Sequence, residues 1–179
     1  MKMPRMMLNL GNTGRQGYLE PPADICDLTV QWIAPRQAAR YLRQVRTAWY
    51  RQDLADLLEP LTLIQWEVNG AQALYHPFPD IAVAITNHHV VGVLCGYMNE
   101  LHRCFFISEI AFHPSYALYR EIQTDVGRSL VEAAIDFSQE LGFHGWVGCA
   151  DDMHHLQLLR QLGFSQHDDF TYRKMGYFS

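Results

Sequence analysis

An acidic residue inside an apolar run is the first place in this sequence where chemistry could occur. Glu109 lies in the segment CFFISEIAF (104–112), which is predicted to be a buried strand. Burial disfavours the charged form of a carboxylate and raises its pKa. Such a group can accept a proton near neutral pH. The alternative for Glu109 is a structural ion pair with a buried arginine.

The second candidate feature is the helix that follows this strand. It is predicted to open with Val126, Gly127, Arg128 and Ser129. A helix start presents unpaired N–H groups and a partial positive charge, and both favour phosphates. A glycine also lets backbone approach a ligand without a Cβ. Many α/β domains have such a glycine, so this feature alone identifies no ligand.

Other chemical motifs are missing from the sequence. It has no nucleophile elbow, Walker loop, dinucleotide fingerprint or zinc-type spacing of cysteine and histidine. Adjacent helical residues point about 100° apart, so His154 and His155 are poorly placed to share one ion. We therefore expect no metal site. The cysteines lie far apart and are expected to be free thiols; they are Cys26, Cys95, Cys104 and Cys149.

The spacing of apolar residues predicts the elements that would position these residues. A strand over 27–34 precedes a helix that begins at Pro35, and a segment that stops at Pro60 extends or follows this helix. Residues 62–70 and the proline-rich residues 75–80 are expected to form a connector, to which the sequence assigns neither helix nor strand. Strands at 81–86 and 90–99 form a hairpin. After the strand at 104–112 come a helix ending at Gly142, a strand at 145–150, a short helix and a last strand. This order predicts a mixed sheet with helices on its faces.

Four consecutive segments of the chain resemble the second half of a GNAT acetyltransferase. They read FFISEIAFHPSY, VGRSLVEAAIDFSQELGF, GWVGCADD and LQLLRQLGF. The resemblance covers about residues 81–172. It implies an α/β fold with a mixed, mostly antiparallel central sheet of six to seven strands and helices on both faces. Residues 25–179 would form this single domain, preceded by a flexible or loosely packed arm at 1–24, which is rich in glycine and proline.

The resemblance also implies an activity and a set of site residues. The chain would be an N-acyltransferase that moves an acetyl or other acyl group from acyl-CoA to a primary amine. Glu109 would take the proton of the amine. The strands at 104–112 and 145–150 would be parallel neighbours that diverge at their carboxyl ends. The donor would contact the backbone of Ile110, Ala111 and Phe112, the phosphate-binding residues Thr124, Val126, Gly127, Arg128 and Ser129, and Asp152.

Several positions depart from the family pattern. Asp125 stands where the first glycine of the phosphate loop belongs, and Leu159 replaces a tyrosine that often acts as a general acid. The loop from 114 to 127 is also longer than usual. Two alternatives therefore stay open: a donor carried by acyl carrier protein or bearing a longer acyl chain, and a GNAT-shaped binding module without catalysis. The missing acid has three candidate substitutes, which are Tyr119, Tyr172 and Cys149.

Length, composition and charge set the remaining expectations. The 179 residues fit one domain, and no run approaches ~20 apolar residues as a membrane span requires. Without a recognisable signal peptide, we expect a cytoplasmic protein. The formal net charge is −5 and the excess of acids lies in residues 61–179. This argues against nucleic-acid or anionic-membrane binding and favours a cationic partner. The acceptor and the oligomeric state stay open.

Overall fold

One seven-stranded sheet forms the centre of the molecule. The computed structural model describes residues 25, 27–50, 52–74, 79–169 and 171–175, so the predicted arm at 1–24 and Cys26 lie outside the described residues. The strands are β1 Thr29–Ile33, β2 Asp80–Thr86, β3 His89–Asn99, β4 Cys104–Phe112, β5 Trp146–Ala150, β6 Ser165–Gln166 and β7 Thr171–Met175. Their order across the sheet is β1-β2-β3-β4-β5-β7-β6. Neighbours are antiparallel except β4 and β5, which are parallel. The predicted mixed, mostly antiparallel sheet is confirmed.

Helices cover both faces of this sheet, as predicted. They are α1 Pro35–Trp49, α2 Glu59–Leu74, α3 Arg120–Glu140 and α4 Leu156–Gln161, with 3-10 turns at Gln52–Leu58 and Pro114–Tyr116. The apolar sides of α1 and α2 bury one face of β2 and β3. The apolar sides of α3 and α4 bury the opposite face, together with side chains of β4, β5 and β7. The helices thus form two separate apolar cores, one on each side of the sheet.

The first helical layer differs in part from the sequence prediction. The spacing predicted for α1 is correct, because its buried residues are Ala38, Leu42, Val45 and Trp49. The first part of the predicted connector, residues 62–70, is helix, since α2 runs through Leu74. Pro60 starts this helix instead of ending a previous one, because a proline in the first turn needs no N–H partner. The apolar residues that follow, Leu61, Ile64 and Val68, are fully buried against the sheet.

The β2–β3 hairpin has the short turn that the sequence predicts. Asn87 and His88 connect the strands and have φ values of 47° and 65°. Positive φ at both central residues matches the twist of two antiparallel strands, and asparagine tolerates this conformation better than most residues. The turn places β3 beside β2. On its other edge β3 pairs with β4, so β4 lies inside the sheet between β3 and β5.

Helix α3 begins six residues earlier than predicted, at Arg120 instead of Val126. Neither glycine nor proline lies between these positions to stop the helix. The Gln123 N–H donates to the Tyr119 carbonyl at 3.1 Å, and the Gln123 side chain donates to the Tyr116 carbonyl at 3.0 Å. The segment expected to be a loop is therefore helix. The end of α3 is as predicted, with Gly142 at a φ of +83° just after it.

Candidate active site

A cleft opens between β4 and β5 at their carboxyl ends. The two strands are paired at three positions, which join Phe105 to Val147, Phe106 to Gly148 and Ile107 to Cys149. Beyond Ile107, β4 continues to Phe112, whereas β5 ends at Ala150 and its chain turns away. The predicted divergence is confirmed. The backbone of residues 108–112 pairs with β3 on one side and has no strand partner on the β5 side within the described strands.

A β-bulge lies in β4 where the cleft begins. Glu109 pairs with Cys95 of β3 and Ile107 pairs with Gly96, which leaves Ser108 as the extra residue. Because of this bulge, two successive side chains approach α2 and the loop after β5. Gly96 is required opposite the bulge, since a Cβ there would lie 2.6 Å from both the Phe105 ring and the Phe106 carbonyl oxygen.

The carboxylate of Glu109 is buried on β4 just beyond its pairing with β5, and the residue is only 5% exposed. Its Oε1 accepts a hydrogen bond from the Ile110 N–H at 3.0 Å, and its Oε2 lies 2.7 Å from Nδ1 of His154. Desolvation raises the pKa of Glu109, and the hydrogen bonds to His154 and Ile110 oppose this effect. The partner of the buried acid in the described part of the chain is therefore a histidine and not an arginine.

The imidazole of His154 connects this buried acid to the surface. His154 lies in the loop between β5 and α4, and its side chain is 38% exposed. Its Nε2 lies 3.9 Å from Oε2 of Glu59, which is in the first turn of α2. A buried carboxylate, an imidazole and an exposed carboxylate thus follow one another from the cleft to solvent.

Sequence reasoning missed His154 as a partner of Glu109, because it considered this histidine only as a metal ligand. No group of three or more metal-binding side chains occurs among the described residues. The two residues are 45 positions apart, so no local pattern joins them. The expected parallel pairing of β4 and β5 was the available signal. It brings the end of β4 and the loop after β5 to the same edge of the sheet.

A second carboxylate, that of Glu67 in α2, also contacts the bulge. Oε2 of Glu67 in α2 accepts hydrogen bonds from the Ser108 hydroxyl at 2.7 Å and from the Cys95 thiol at 3.0 Å. Burial, followed by the charge of Glu67, raises the pKa of Cys95 well above its ordinary value, so the thiol stays protonated and donates. Cys95, Cys104 and Cys149 are all free, as predicted.

Comparisons with known proteins support the fold. No protein-family model and no curated protein sequence matches the chain. Among solved structures, a GNAT-family protein from Desulfovibrio desulfuricans is similar at a TM-score of 0.54 and 15% identity, over 83% of this chain and 98% of that one. An acetyltransferase from Thermus thermophilus gives 0.53 and 15%, over 84% and 97%. The PaiA N-acetyltransferase from Thermoplasma acidophilum, solved with coenzyme A, gives 0.50 and 11%, over 84% and 100%. The chain has the GNAT fold.

Within this GNAT fold, the residues predicted to bind the donor fall into two groups. Ile110, Ala111 and Phe112 lie on β4 beyond its pairing with β5, so their backbone borders the cleft as expected. Asp152 is exposed in the loop after β5, two residues before His154. The other predicted residues, Thr124, Val126, Gly127, Arg128 and Ser129, lie inside α3.

The predicted cradle of free N–H groups at 124–129 is wrong, because these amides lie in the interior of a helix that begins at Arg120. Val126 and Gly127 are buried. A Cβ on Gly127 would lie 3.0 Å from Cδ2 of Leu158 and 3.4 Å from Cζ of Phe112. This glycine allows α3 to pack closely against α4 and β4.

The start of α3 borders a groove of about 470 Å³. The groove is lined by Arg120, Glu121, Thr124, Asp125 and Gln161. The amides of the first helical turn lack partners within the helix and point towards its N-terminal end. Of the predicted donor contacts inside α3, only Thr124 lines this groove. Arg128 lies eight residues further along than Arg120, a rise of about 12 Å.

The three candidates for a replacement general acid differ in accessibility. Cys149 is fully buried, and desolvation raises its pKa to about 12. The Tyr172 hydroxyl is buried and accepts a hydrogen bond from Arg160. Tyr119 precedes α3 and is 57% exposed. Leu159, at the usual tyrosine position, is fully buried in the core.

Proposed function

We propose that this chain is an N-acyltransferase that moves an acetyl or other acyl group from acyl-CoA to a primary amine. The observation that carries the proposal is the bond between buried Glu109 and partly exposed His154, beside the cleft between β4 and β5. An ammonium ion cannot attack a thioester, so the reaction requires a group that removes its proton. A desolvated carboxylate hydrogen-bonded to an imidazole supplies such a group near neutral pH.

The reaction then needs few further groups. The neutral amine attacks the thioester carbonyl carbon, a C–N bond forms, and the C–S bond breaks to release a thiolate. A thiol has a pKa of about 8.5, so the leaving group needs little help from a general acid. The ammonium gives its first proton to the Glu109–His154 pair, which releases it to solvent, and the nitrogen gives a second proton to the thiolate as the amide forms. Leucine at position 159 is compatible with this scheme.

The donor would lie along the cleft and reach the start of α3. We propose that the backbone of Ile110, Ala111 and Phe112 holds the pantetheine arm, with Asp152 at the opposite side. The diphosphate would bind in the groove at the first turn of α3, next to Arg120 and Thr124. This replaces the sequence-based assignment to Val126, Gly127, Arg128 and Ser129.

Matched arginine variants test this donor placement. Arg120→Ala should weaken coenzyme A binding about tenfold, because it removes a charged hydrogen-bond donor beside the groove. Arg128→Ala, on the same helix about 12 Å away, should change the affinity less than twofold. Calorimetric titration of both variants with coenzyme A measures the difference. Equal losses for the two variants would contradict the proposed position of the diphosphate.

The acceptor is proposed to be a cationic amine on a small molecule, peptide or protein. Glu59 and Glu67 lie on the α2 side of the cleft, and the chain carries a net charge of −5. Both favour an approaching ammonium ion. None of the described helices is long and apolar enough to cross a membrane. A cytoplasmic location stays an expectation from the sequence.

The second candidate function is a GNAT-shaped binding module without catalysis. The early start of α3 favours it, because the amides of residues 124–129 are not free to bind phosphate. A donor delivered by acyl carrier protein is the remaining alternative, since such a donor carries one phosphate and no adenosine.

One set of assays separates these functions. Acetyl-CoA is titrated calorimetrically, and thiol release is followed with a panel of primary amines. Binding with amine-dependent thiol release supports the proposed function. Binding without release under any amine supports the module. No binding, combined with acylation from an acyl carrier protein, supports the carrier-dependent enzyme.

A further inference from the structure

We infer that His154 is the group that meets the substrate amine, and that Glu109 acts through it as a positioning residue. This inference rests on the proposed N-acyltransferase function and assigns the two members of the pair their separate tasks. It changes the role that the sequence predicts for Glu109, from direct proton acceptor to the group that orients and charges the acceptor.

The first argument is access. Glu109 is 5% exposed, and each of its two oxygens already has a partner. Oε1 accepts from the Ile110 N–H and Oε2 is held by Nδ1 of His154. An amine that reached the carboxylate directly would have to displace the imidazole. The His154 side chain is 38% exposed, so an amine in the cleft meets the imidazole first.

The second argument is the tautomer of the imidazole. An ionised carboxylate can only accept hydrogen bonds, so Nδ1 of His154 must carry its hydrogen towards Glu109. Nε2 then keeps its lone pair and can accept a proton. The distance from Nε2 to Glu59 Oε2 is 3.9 Å, so Nε2 makes no hydrogen bond to this carboxylate, which would require a hydrogen on Nε2. Glu109 therefore prepares the exposed nitrogen for proton transfer.

The third argument is the charge around the ring. After accepting a proton, the imidazolium lies between the carboxylates of Glu109 and Glu59, which both stabilise it. The adjacent His155 packs its ring on Phe112 at 4.9 Å, and desolvation lowers its pKa to about 4, so it stays neutral. Exposed Asp151 and Asp152 precede His154 on the same loop and add negative charge. Glu67 of α2, which interacts electrostatically with Glu109, is a further negative charge near the pair.

The proton movements balance in this arrangement. The ammonium gives one proton to Nε2 of His154, and the neutral amine attacks the thioester carbonyl carbon. As the C–S bond breaks, the attacking nitrogen loses a second proton to the leaving thiolate, so that a neutral amide and a thiol form. The imidazolium returns the first proton to solvent, and the Nδ1–H bond to Glu109 persists throughout.

The test uses variants that keep the shape of the site. His154→Asn places an amide N–H donor near the former Nδ1 and removes the proton acceptor, so we expect kcat to fall about 100-fold with little change in KM and in Tm. The kcat of His154→Ala should fall by a similar factor. Free imidazole should restore part of this kcat, because the position is open to solvent. His144→Asn, at an exposed loop position before β5, is the matched control and should keep the wild-type rate.

Glu109→Gln provides a readout that a purely structural role would not move. The amide oxygen of the new glutamine would accept from the Ile110 N–H, so its NH2 group would face Nδ1 and donate to it. His154 would then carry its hydrogen on Nε2 and could not accept the amine proton, so kcat should fall with little change in KM. Nitrogen NMR of His154 should also show the loss of the Nδ1–H form in this variant.

Two failures are distinguishable. Wild-type protein that releases no thiol with any amine overturns the proposed function and the inference with it. Two other outcomes overturn the inference alone, provided that the wild-type protein turns over. In one, His154→Asn keeps the wild-type rate; in the other, free imidazole restores no activity to His154→Ala.

Discussion

Two glutamates flank the same β-bulge and have opposite surroundings. Glu67 is exposed on α2, and its carboxylate accepts from a hydroxyl and a thiol, which are neutral donors that hold their protons. Glu109 is buried on β4, and its carboxylate is bonded to an imidazole that is 38% exposed. The residue type is the same in both places. The difference lies in whether the partner has a lone pair that can accept a proton.

The bulge creates both environments. Ser108 is the extra residue, and its hydroxyl donates to Glu67, while the next residue along the chain is Glu109. A regular strand would turn these two side chains to opposite faces of the sheet. Because of the bulge, both side chains turn to the α2 side of the sheet, where Ser108 bonds to Glu67 and Glu109 bonds to His154. Glu67 thus stabilises the α2–β4 contact, whereas Glu109 faces the cleft.

The largest expected effect separates the two glutamates directly. Glu109→Gln should reduce thiol release about 100-fold or more, because the imidazole loses the group that orients it. Glu67→Gln should change the rate less than about threefold, since the amide oxygen still accepts from Ser108 and Cys95. Both variants should keep the wild-type Tm within a few degrees. Equal rate losses in Glu109→Gln and Glu67→Gln would contradict the different roles assigned to the two glutamates.

The next expected effect is on the pH dependence of stability, and it comes from His155, the neighbour of His154. Burial lowers the pKa of His155 to about 4 from an unfolded value of about 6.5. The unfolded chain therefore binds this proton first, so His155 removes about 3 kcal/mol of stability as the pH falls from 6.5 to 4. His155→Phe keeps the ring on Phe112 and should flatten this part of the stability curve. The unfolding free energy of both proteins is measured by urea denaturation from pH 4 to 7. If it changes with pH as much in the variant as in the wild type, this prediction is wrong.

Glu109 should act on stability with the opposite sign. Its folded pKa is raised, so the native state binds the proton first and stability increases as the pH falls through its titration. Comparing wild type with Glu109→Gln in the same urea series isolates this contribution. Stability that increases with pH through Glu109 would mean that its bond to His154 outweighs its burial.

Gly96→Ala tests the bulge that produces the difference. The added methyl group would meet the backbone oxygen of Phe106 and the buried ring of Phe105, each at 2.6 Å. Neither can move without shifting β4, so we expect a loss of about 2 kcal/mol in unfolding free energy, measured by urea denaturation. Gly70→Ala is a matched control, because nothing lies within 4 Å of its Cβ position. Equal stability of the two variants would remove the steric argument for Gly96.

Much of the fold followed from local sequence patterns, whereas the site did so only in part. The bounds of β4, the buried positions of α1 and the β2–β3 turn were predictable because apolar spacing and turn residues specify them locally. The starts of α2 and α3 were not. Pro60 can end one helix or begin another, and the residues from Arg120 to Val126 fit a helix as well as a loop.

The site shows the same division. The burial of Glu109 and its raised pKa followed from its apolar strand neighbours. Its bond to His154 joins residues 45 positions apart and depends on where β5 ends. Gly127 was expected to approach phosphate, yet it packs against Leu158 and Phe112. A glycine in a helix has the same sequence signature in both roles, so only the packing separates them.

The smallest expected effect tests whether the two carboxylates are independent. Cys95 is fully buried, and its thiol is one of two donors to Glu67. Cys95→Ala removes this donor and leaves a small cavity, which should cost about 1 kcal/mol of stability. Turnover should stay within about twofold of wild type, because Ser108 still donates to Glu67 and the Glu109–His154 bond is untouched. Cys95→Ser keeps a donor and should recover part of the stability. Suppose instead that Cys95→Ala slows turnover as much as Glu109→Gln while its Tm stays near that of the wild type. The two carboxylates would then belong to one proton network across the bulge, and the division between a structural and a functional glutamate would be wrong.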